Sequence, residues 1–135
     1  MKKNTILIVD DEEYIRNILK RIFECDYRII TAAEGLEALE KVKKEHPDLI
    51  ILDNEMPAMN GLEVAWKLKR SDIVKHRHIP IIMLTVKSRV GEVEEGFSSG
   101  VDFYLPKPFT LAHLYDKVRE ALKIKDQKHG SIIDG

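Results

Sequence analysis

A second cysteine is missing from this chain, so the single thiol, Cys25, has no internal disulfide partner. A reducing, cytoplasmic compartment is the expectation that follows. The His76-x-His78 pair lacks the further cysteines or histidines that a structural zinc site requires. An excess of one charge is also missing, because 22 basic and 23 acidic residues leave a formal charge of −1. Such a balance carries no basic footprint for nucleic acid or for a membrane surface, so neither is expected as a direct partner. Long hydrophobic runs are absent too. Only four consecutive apolar residues, Ile6 to Val9, precede Asp10, too few for a signal peptide or a membrane span, so the mature chain is expected to start near Met1. No repeat or low-complexity segment interrupts the 135 residues, a length that suits one compact domain.

What the chain does have is a set of short apolar runs, each ending on a polar residue of a particular kind. Ile6-Leu7-Ile8-Val9 leads to Asp10 and Asp11, and Leu49-Ile50-Ile51-Leu52 leads to Asp53. Ile81-Ile82-Met83-Leu84 leads to Thr85, and the run from Val101 to Pro106 leads to Lys107. Tyr27 to Thr31 reads as a further strand, but it ends on Thr31-Ala32-Ala33 with neither acid nor base at its tip. Between the strands the apolar period changes to that of a helix. Ile15, Ile18, Leu19, Ile22 and Phe23 mark the first helix; Leu36, Leu39 and Val42 mark the second, which exits through His46-Pro47. Leu62, Ala65 and Leu68 mark the third. Val90, Val93 and Phe97 mark a fourth, loosened by Gly91 and Gly96 at about 1 kcal/mol each relative to alanine. Thr110 caps a fifth, with Leu111, Leu114, Val118 and Leu122 as its buried stripe.

Five strands alternating with five helices, the strands almost uniformly apolar, describe a parallel sheet covered on both faces. The expected fold is α/β, a single (βα)5 doubly wound five-stranded sheet of flavodoxin-like order 2-1-3-4-5, with the featureless second strand at an edge. Residues 1–124 form the expected domain. Residues 125–135 are polar and read as a frayed tail or the start of a linker.

In such a sheet ligands bind beyond the carboxyl ends of the strands, where the strand order reverses. Asp10, Asp11 and Asp53 then crowd three carboxylates together, a costly arrangement unless a cation or protons neutralise it. Hard oxygen ligands with open positions suit Mg²⁺. Lys107 and Thr85 add a fixed positive charge and a hydroxyl, both useful against the oxygens of a transferring phosphoryl group. Asp53, on the central strand, is the best-placed nucleophile for an aspartyl phosphate. Read singly, Asp10-Asp11-Glu12-Glu13 would be an acidic helix start and Lys107 a surface lysine. Glu12 and Glu13 keep that reading. The five histidines are all read as surface residues, none of them catalytic, and Trp66 as partly buried packing.

These residues resemble the response-regulator receiver domain of two-component signalling, in the single-domain chemotaxis style. The resemblance rests on Ile-Leu-Ile-Val-Asp-Asp-Glu at 6 to 12, Asp-Leu-Ile-Ile-Leu-Asp-Asn-Glu-Met-Pro at 48 to 57, Gly61, Thr85, and Tyr-Leu-Pro-Lys-Pro-Phe at 104 to 109. It implies that Asp53 accepts a phosphoryl group from a histidine kinase, a phosphotransfer protein or a small phosphodonor. It further implies that Asp11, Asp53 and the Glu55 carbonyl hold Mg²⁺, with Asp10 acting through water. Lys107 is implied to contact the phosphoryl oxygens, in a cis peptide with Pro108, and Thr85 and Tyr104 are the implied switch. The surface of helix four, strand five and helix five would then change for a downstream protein or for a homodimer. No enzymatic turnover beyond self-catalysed phosphorylation and dephosphorylation is implied. Val86 stands where the family commonly has a smaller residue, and Glu55 is placed to pair with Lys87. Together they are expected to shield the phosphoryl group and slow its hydrolysis. Two other readings compete: a haloacid-dehalogenase-type phosphohydrolase, whose motif wants an aspartate where Glu55 stands, and a phosphate-independent scaffold of receiver shape.

Overall fold

The computed structural model describes residues 2–95 and 100–134, with side chains described for 2–92 and 100–123. Five parallel strands, β1 (Thr5–Val9), β2 (Arg28–Ala32), β3 (Leu49–Asp53), β4 (Ile81–Val86) and β5 (Phe103–Lys107), form one sheet of order β2-β1-β3-β4-β5. The helices between and after them are α1 (Glu13–Phe23), α2 (Gly35–Glu45), α3 (Gly61–Lys69), α4 (Val90–Glu95) and α5 (Leu111–Asp134). This is the doubly wound, flavodoxin-like topology expected, with β2 at an edge.

Alternation along each strand divides the core in two. Leu7 and Val9, Ile50 and Leu52, and Ile81 and Met83 point to one face, where Ala38 and Val42 of α2 and Val64, Ala65 and Leu68 of α3 cover them. Ile6 and Ile8, Leu49 and Ile51, and Ile82 and Leu84 point to the other, against Leu19 and Phe23 of α1 and Leu114, Val118 and Ala121 of α5. Burial on both faces explains why these strands are apolar at every position rather than at alternate ones.

Several expectations need correction. Leu36 and Leu111 repeat with the helix period but are 59% and 49% exposed: the buried stripe of α2 is Gly35, Ala38 and Val42, which Leu36 only flanks, and Leu111 is the first residue of α5. Ala38 and Ala121 replace them in the buried stripes. His76 is not a surface residue: it is 2% exposed, inside the 3-10 turn Val74–His78 that links α3 to β4. The α5 backbone runs on to Asp134, through part of the segment expected as a frayed tail or the start of a linker, an expectation this leaves open. Of the residues expected to mark the fourth helix, Gly96 and Phe97 lie outside the described residues. Thr110 caps α5 as expected, its hydroxyl accepting from the His113 N–H at 3.1 Å.

Candidate phosphate and metal site

Parallel strands in register bring their carboxyl ends together, and four of the five ends carry the polar residues singled out above. Asp53 closes β3 opposite Leu84 of β4, and Val86 closes β4 opposite Lys107 of β5. β1 hands the chain to Asp10, whose backbone N–H still donates to Ala32 at 3.2 Å. Asp10 is pinned there. Its Oδ1 accepts from the Glu12 N–H at 2.9 Å, and its carbonyl accepts from Arg16 at 2.8 Å.

One carboxylate oxygen from each of Asp10, Asp11 and Asp53 falls within 4.8 Å of the others. Asp53 and Asp10 are 2% and 5% exposed, whereas Asp11 faces solvent, so the cluster has a buried floor and an open side. Burial pushes the Asp53 carboxyl up to about 6, with Lys107 opposing the rise and Asp10 and Glu55 adding to it. Burial likewise raises Asp10, against the Glu12 N–H and the Lys107 charge. Without a cation, this site resists carrying its full negative charge. Three hard oxygen donors with an open side fit a small divalent cation such as Mg²⁺.

Lys107 reaches past β4, and its Nζ donates to Asp53 Oδ1 and lies 3.3 Å from Glu55 Oε1. Burial acts to lower the ammonium's pKa, but the two carboxylates outweigh it and hold the group above its ordinary value. The peptide joining Lys107 to Pro108 is cis, as expected. Thr85 is fully buried, and its hydroxyl donates to Glu55 Oε2 at 2.7 Å. The Val86 N–H donates to Glu55 Oε1 at 3.0 Å. Tyr104 is half-buried against the α2 and α3 side of the core.

The expected pairing of Glu55 with Lys87 does not form. Lys87 starts a 3-10 turn after β4 and is exposed, while the register of β4 and β5 delivers Thr85, Val86 and Lys107 to the Glu55 carboxylate instead. Sequence reading also missed Asn54, which is 2% exposed. Its Oδ1 accepts from the Leu62 N–H at 3.2 Å, and its Nδ2 donates to Glu55 at 3.1 Å. Its carbonyl accepts from Met56 and Gly61. Asn54 thereby shapes the loop from β3 to α3, which ends in a capping box between Asn60 and Glu63. An amide directly after a strand-end acid was the available signal.

Comparison with known proteins agrees with this geometry. Residues 6–119 match the family model for the response regulator receiver domain. Probable transcriptional regulator ycf27 of Porphyridium aerugineum is 41% identical over 128 residues, covering 94% of this chain and 51% of the relative. Response regulator MprA of Mycobacterium leprae is 39% identical over 119 residues, covering 87% of this chain and 50% of the relative. The chain therefore spans about half the length of the curated relatives it matches. Among solved structures, chemotaxis protein CheY4 of Vibrio cholerae superposes with a TM-score of 0.79 at 32% identity, over 88% of this chain and 98% of that one. A CheY-like receiver domain protein from Methanospirillum hungatei gives 0.84 at 28% identity, over 94% and 99%. With strand order, site chemistry and family match in agreement, the chain belongs to the response regulator receiver domains of two-component signalling.

Proposed function

We propose that the chain is a phosphorylation-controlled switch whose acceptor is Asp53. The observation that carries this reading is the meeting of the three aspartate carboxylates with Lys107 at the carboxyl ends of β1, β3 and β5. Asp53 is the carboxylate that both the cluster and the ammonium touch. A phosphoryl group arriving from a histidine kinase or a phosphotransfer protein would meet a nucleophile already held in place, with Lys107 beside it to balance the charge on the phosphoryl oxygens.

Asp10, Asp11, Asp53 and the carbonyl of Glu55 would hold Mg²⁺. The bound ion supplies positive charge that favours the ionised Asp53 carboxylate and the phosphoryl oxygens. The residues do the rest. Burial excludes bulk water from Asp53, and Asp10 is fixed by its hydrogen bonds to Glu12 and Arg16. Thr85 and Lys107 present the hydroxyl and the ammonium. Val86, half-buried beside them, limits the approach of water and so lengthens the life of the acyl phosphate.

Thr85 and Tyr104 lie on adjacent strands, β4 and β5, so a movement of the hydroxyl toward a phosphorylated Asp53 changes the packing next to Tyr104. The surface of α4, β5 and α5 would change with it, for a protein target or for a second copy of the chain. The relatives named as transcriptional regulators suggest gene control as one output of such a surface. Among the described residues no helix is long and apolar enough to cross a membrane.

The test is incubation with Mg²⁺ and acetyl phosphate, followed by intact mass and size-exclusion chromatography for wild type and Asp53→Asn. One phosphoryl group on wild type alone is the expected result. An adduct on Asp53→Asn would move the acceptor elsewhere, and sustained turnover of a phosphate ester would favour a phosphohydrolase.

A further inference from the structure

We propose that the Glu55 carboxylate is a resident stand-in for the phosphoryl group, occupying the groups that recognise it until phosphorylation of Asp53 displaces it. The proposal rests on Asp53 being the acceptor. Its basis is the set of donors that Glu55 collects. Oε2 accepts from the Thr85 hydroxyl at 2.7 Å and the Asn54 amide at 3.1 Å. Oε1 accepts from the Val86 N–H at 3.0 Å and has the Lys107 ammonium at 3.3 Å. An ionised carboxylate offers about four lone-pair sites, and here all four are engaged. The Glu55 side chain keeps 24% exposure, so water is within reach, yet protein donors take every site. A hydroxyl, a backbone N–H and an ammonium converging on one anion make up the kind of cradle that an oxyanion needs.

Two of these donors cannot serve two anions at full strength. The Thr85 hydroxyl and the Val86 N–H have one hydrogen each, whereas the Lys107 ammonium has three and already bridges Glu55 to Asp53. Thr85, Asn54, Val86 and Lys107 all engage the Glu55 carboxylate. A phosphoryl group next to it therefore meets a competing negative charge as well as occupied donors.

The covalent step balances without any further reactant. A carboxylate oxygen of Asp53 forms a bond to the phosphorus of acetyl phosphate, the bond from phosphorus to the acetyl oxygen breaks, and acetate leaves with the electron pair. Thr85, Val86 and Lys107 then turn from the Glu55 oxygens to the phosphoryl oxygens. Release of Glu55 accompanies phosphorylation, and the negative side chain is free to take a new position at the rim of the site.

Acetyl phosphate labelling followed by intact mass, in the presence of Mg²⁺, compares wild type with Glu55→Gln and Glu55→Ala. Both substitutions leave the Glu55 backbone carbonyl in place. Glu55→Ala is expected to accept the phosphoryl group roughly three- to tenfold faster than wild type, the factor that one net hydrogen bond is worth, with Glu55→Gln between. Hydrogen exchange of the Val86 amide supplies a second readout that does not depend on rate. In the unphosphorylated state Glu55→Ala should lose protection there. Once phosphorylated it should regain wild-type protection, whereas a mere structural brace would leave the amide unprotected in both states. Equal or slower labelling of both variants, with a normal adduct on wild type, overturns the stand-in role and leaves Asp53 as acceptor. Adduct on Asp53→Asn, or on none of the proteins, overturns the acceptor reading and the stand-in with it.

Discussion

His46 Nδ1 and His76 Nε2 lie 2.8 Å apart, with ring centroids 5.0 Å apart, so the two imidazoles meet end to end across a single hydrogen bond. His46 caps α2 in the left-handed conformation, at φ 49°, and His76 sits in the 3-10 turn before β4. The bond therefore ties together two connections at the end of the sheet opposite Asp53. Among the described residues His76 Nδ1 is buried without a partner, which selects the tautomer. An unmet lone pair costs less than an unmet N–H, so His76 donates through Nε2 and leaves Nδ1 bare.

A proton on that buried Nδ1 would have no acceptor. Burial, with His46 and Lys75 adding to it, holds His76 below its ordinary pKa. The unfolded chain then binds a proton near pH 6.5 that the native state refuses, so stability is full above that pH and falls as pH drops below it. Replacement by an apolar side chain removes this dependence. The stability of His76→Leu relative to wild type should rise between pH 7.5 and pH 5.5 in thermal melts, and a constant difference would show that His76 takes its proton as easily as in the unfolded chain.

Asp53 gives the opposite sign. Burial pushes its native carboxyl up to about 6, whereas the unfolded group titrates near its ordinary value of 3.8. Between those values the native state holds the extra proton, so stability declines as pH rises through the window and stays low above it. The full shift corresponds to on the order of 2–3 kcal/mol. In metal-free buffer Asp53→Asn should melt above wild type at pH 7.5, and that advantage should shrink to about a third by pH 4.5 and vanish only below 3.8. Mg²⁺ at pH 7.5 should raise the melting temperature of wild type far more than that of Asp53→Asn, by linkage. A pH-independent difference would mean that Asp53 takes up its proton as easily in the native state as in the unfolded chain.

Two glycines separate close packing from mere helix propensity. A Cβ on Gly61 would stand 2.5 Å from Met83 Sδ and 2.9 Å from both the Asn54 Cα and the Asp53 carbonyl oxygen. Two of those neighbours are backbone at the site itself. Gly61→Ala should cost about 1–3 kcal/mol and displace Asp53. A Cβ on Gly91, in α4, meets nothing within 4 Å among the described residues, so Gly91→Ala should stabilise by about 0.5–1 kcal/mol. Urea unfolding of both variants checks the contrast, and equal effects would contradict it.

The strands were legible because burial on both faces leaves a simple mark, and β2 was placed at an edge because no acid or base ends it. Asp10, Asp11, Asp53, Thr85 and Lys107 were legible for the related reason that each follows an apolar run. Leu36 and Leu111 were misplaced because a helical period leaves the flank of a buried stripe and its terminal residue undetermined, and Gly35 and Ala38 carry no apolar mark of their own. His76 lies in a 3-10 turn, where no apolar period marks the inside. The Glu55 pairing depends on the register of three strands, and one residue of slip exchanges Lys87 for Val86.

Asn54 offers the sharpest check on what sequence reading missed. Its Oδ1 accepts from Leu62 at the start of α3, while its Nδ2 donates to Glu55 and, at 3.4 Å, to Thr85. One buried amide thus connects the helix that follows β3 to the hydroxyl at the end of β4. Asn54→Ala strands the Leu62 N–H and withdraws one donor from Glu55, which should cost about 1–3 kcal/mol. Asn54→Asp keeps the acceptor for Leu62 but sets a further carboxylate against Glu55, so it should preserve the start of α3 while weakening the contact with Thr85. Hydrogen exchange at Leu62 and Val86 separates the two effects. Asn54→Ala should lose protection mainly at Leu62, and Asn54→Asp mainly at Val86. Loss at both amides in both variants would mean that the loop and the strand end open as one unit, with Asn54 as their common support rather than a junction between two separable parts.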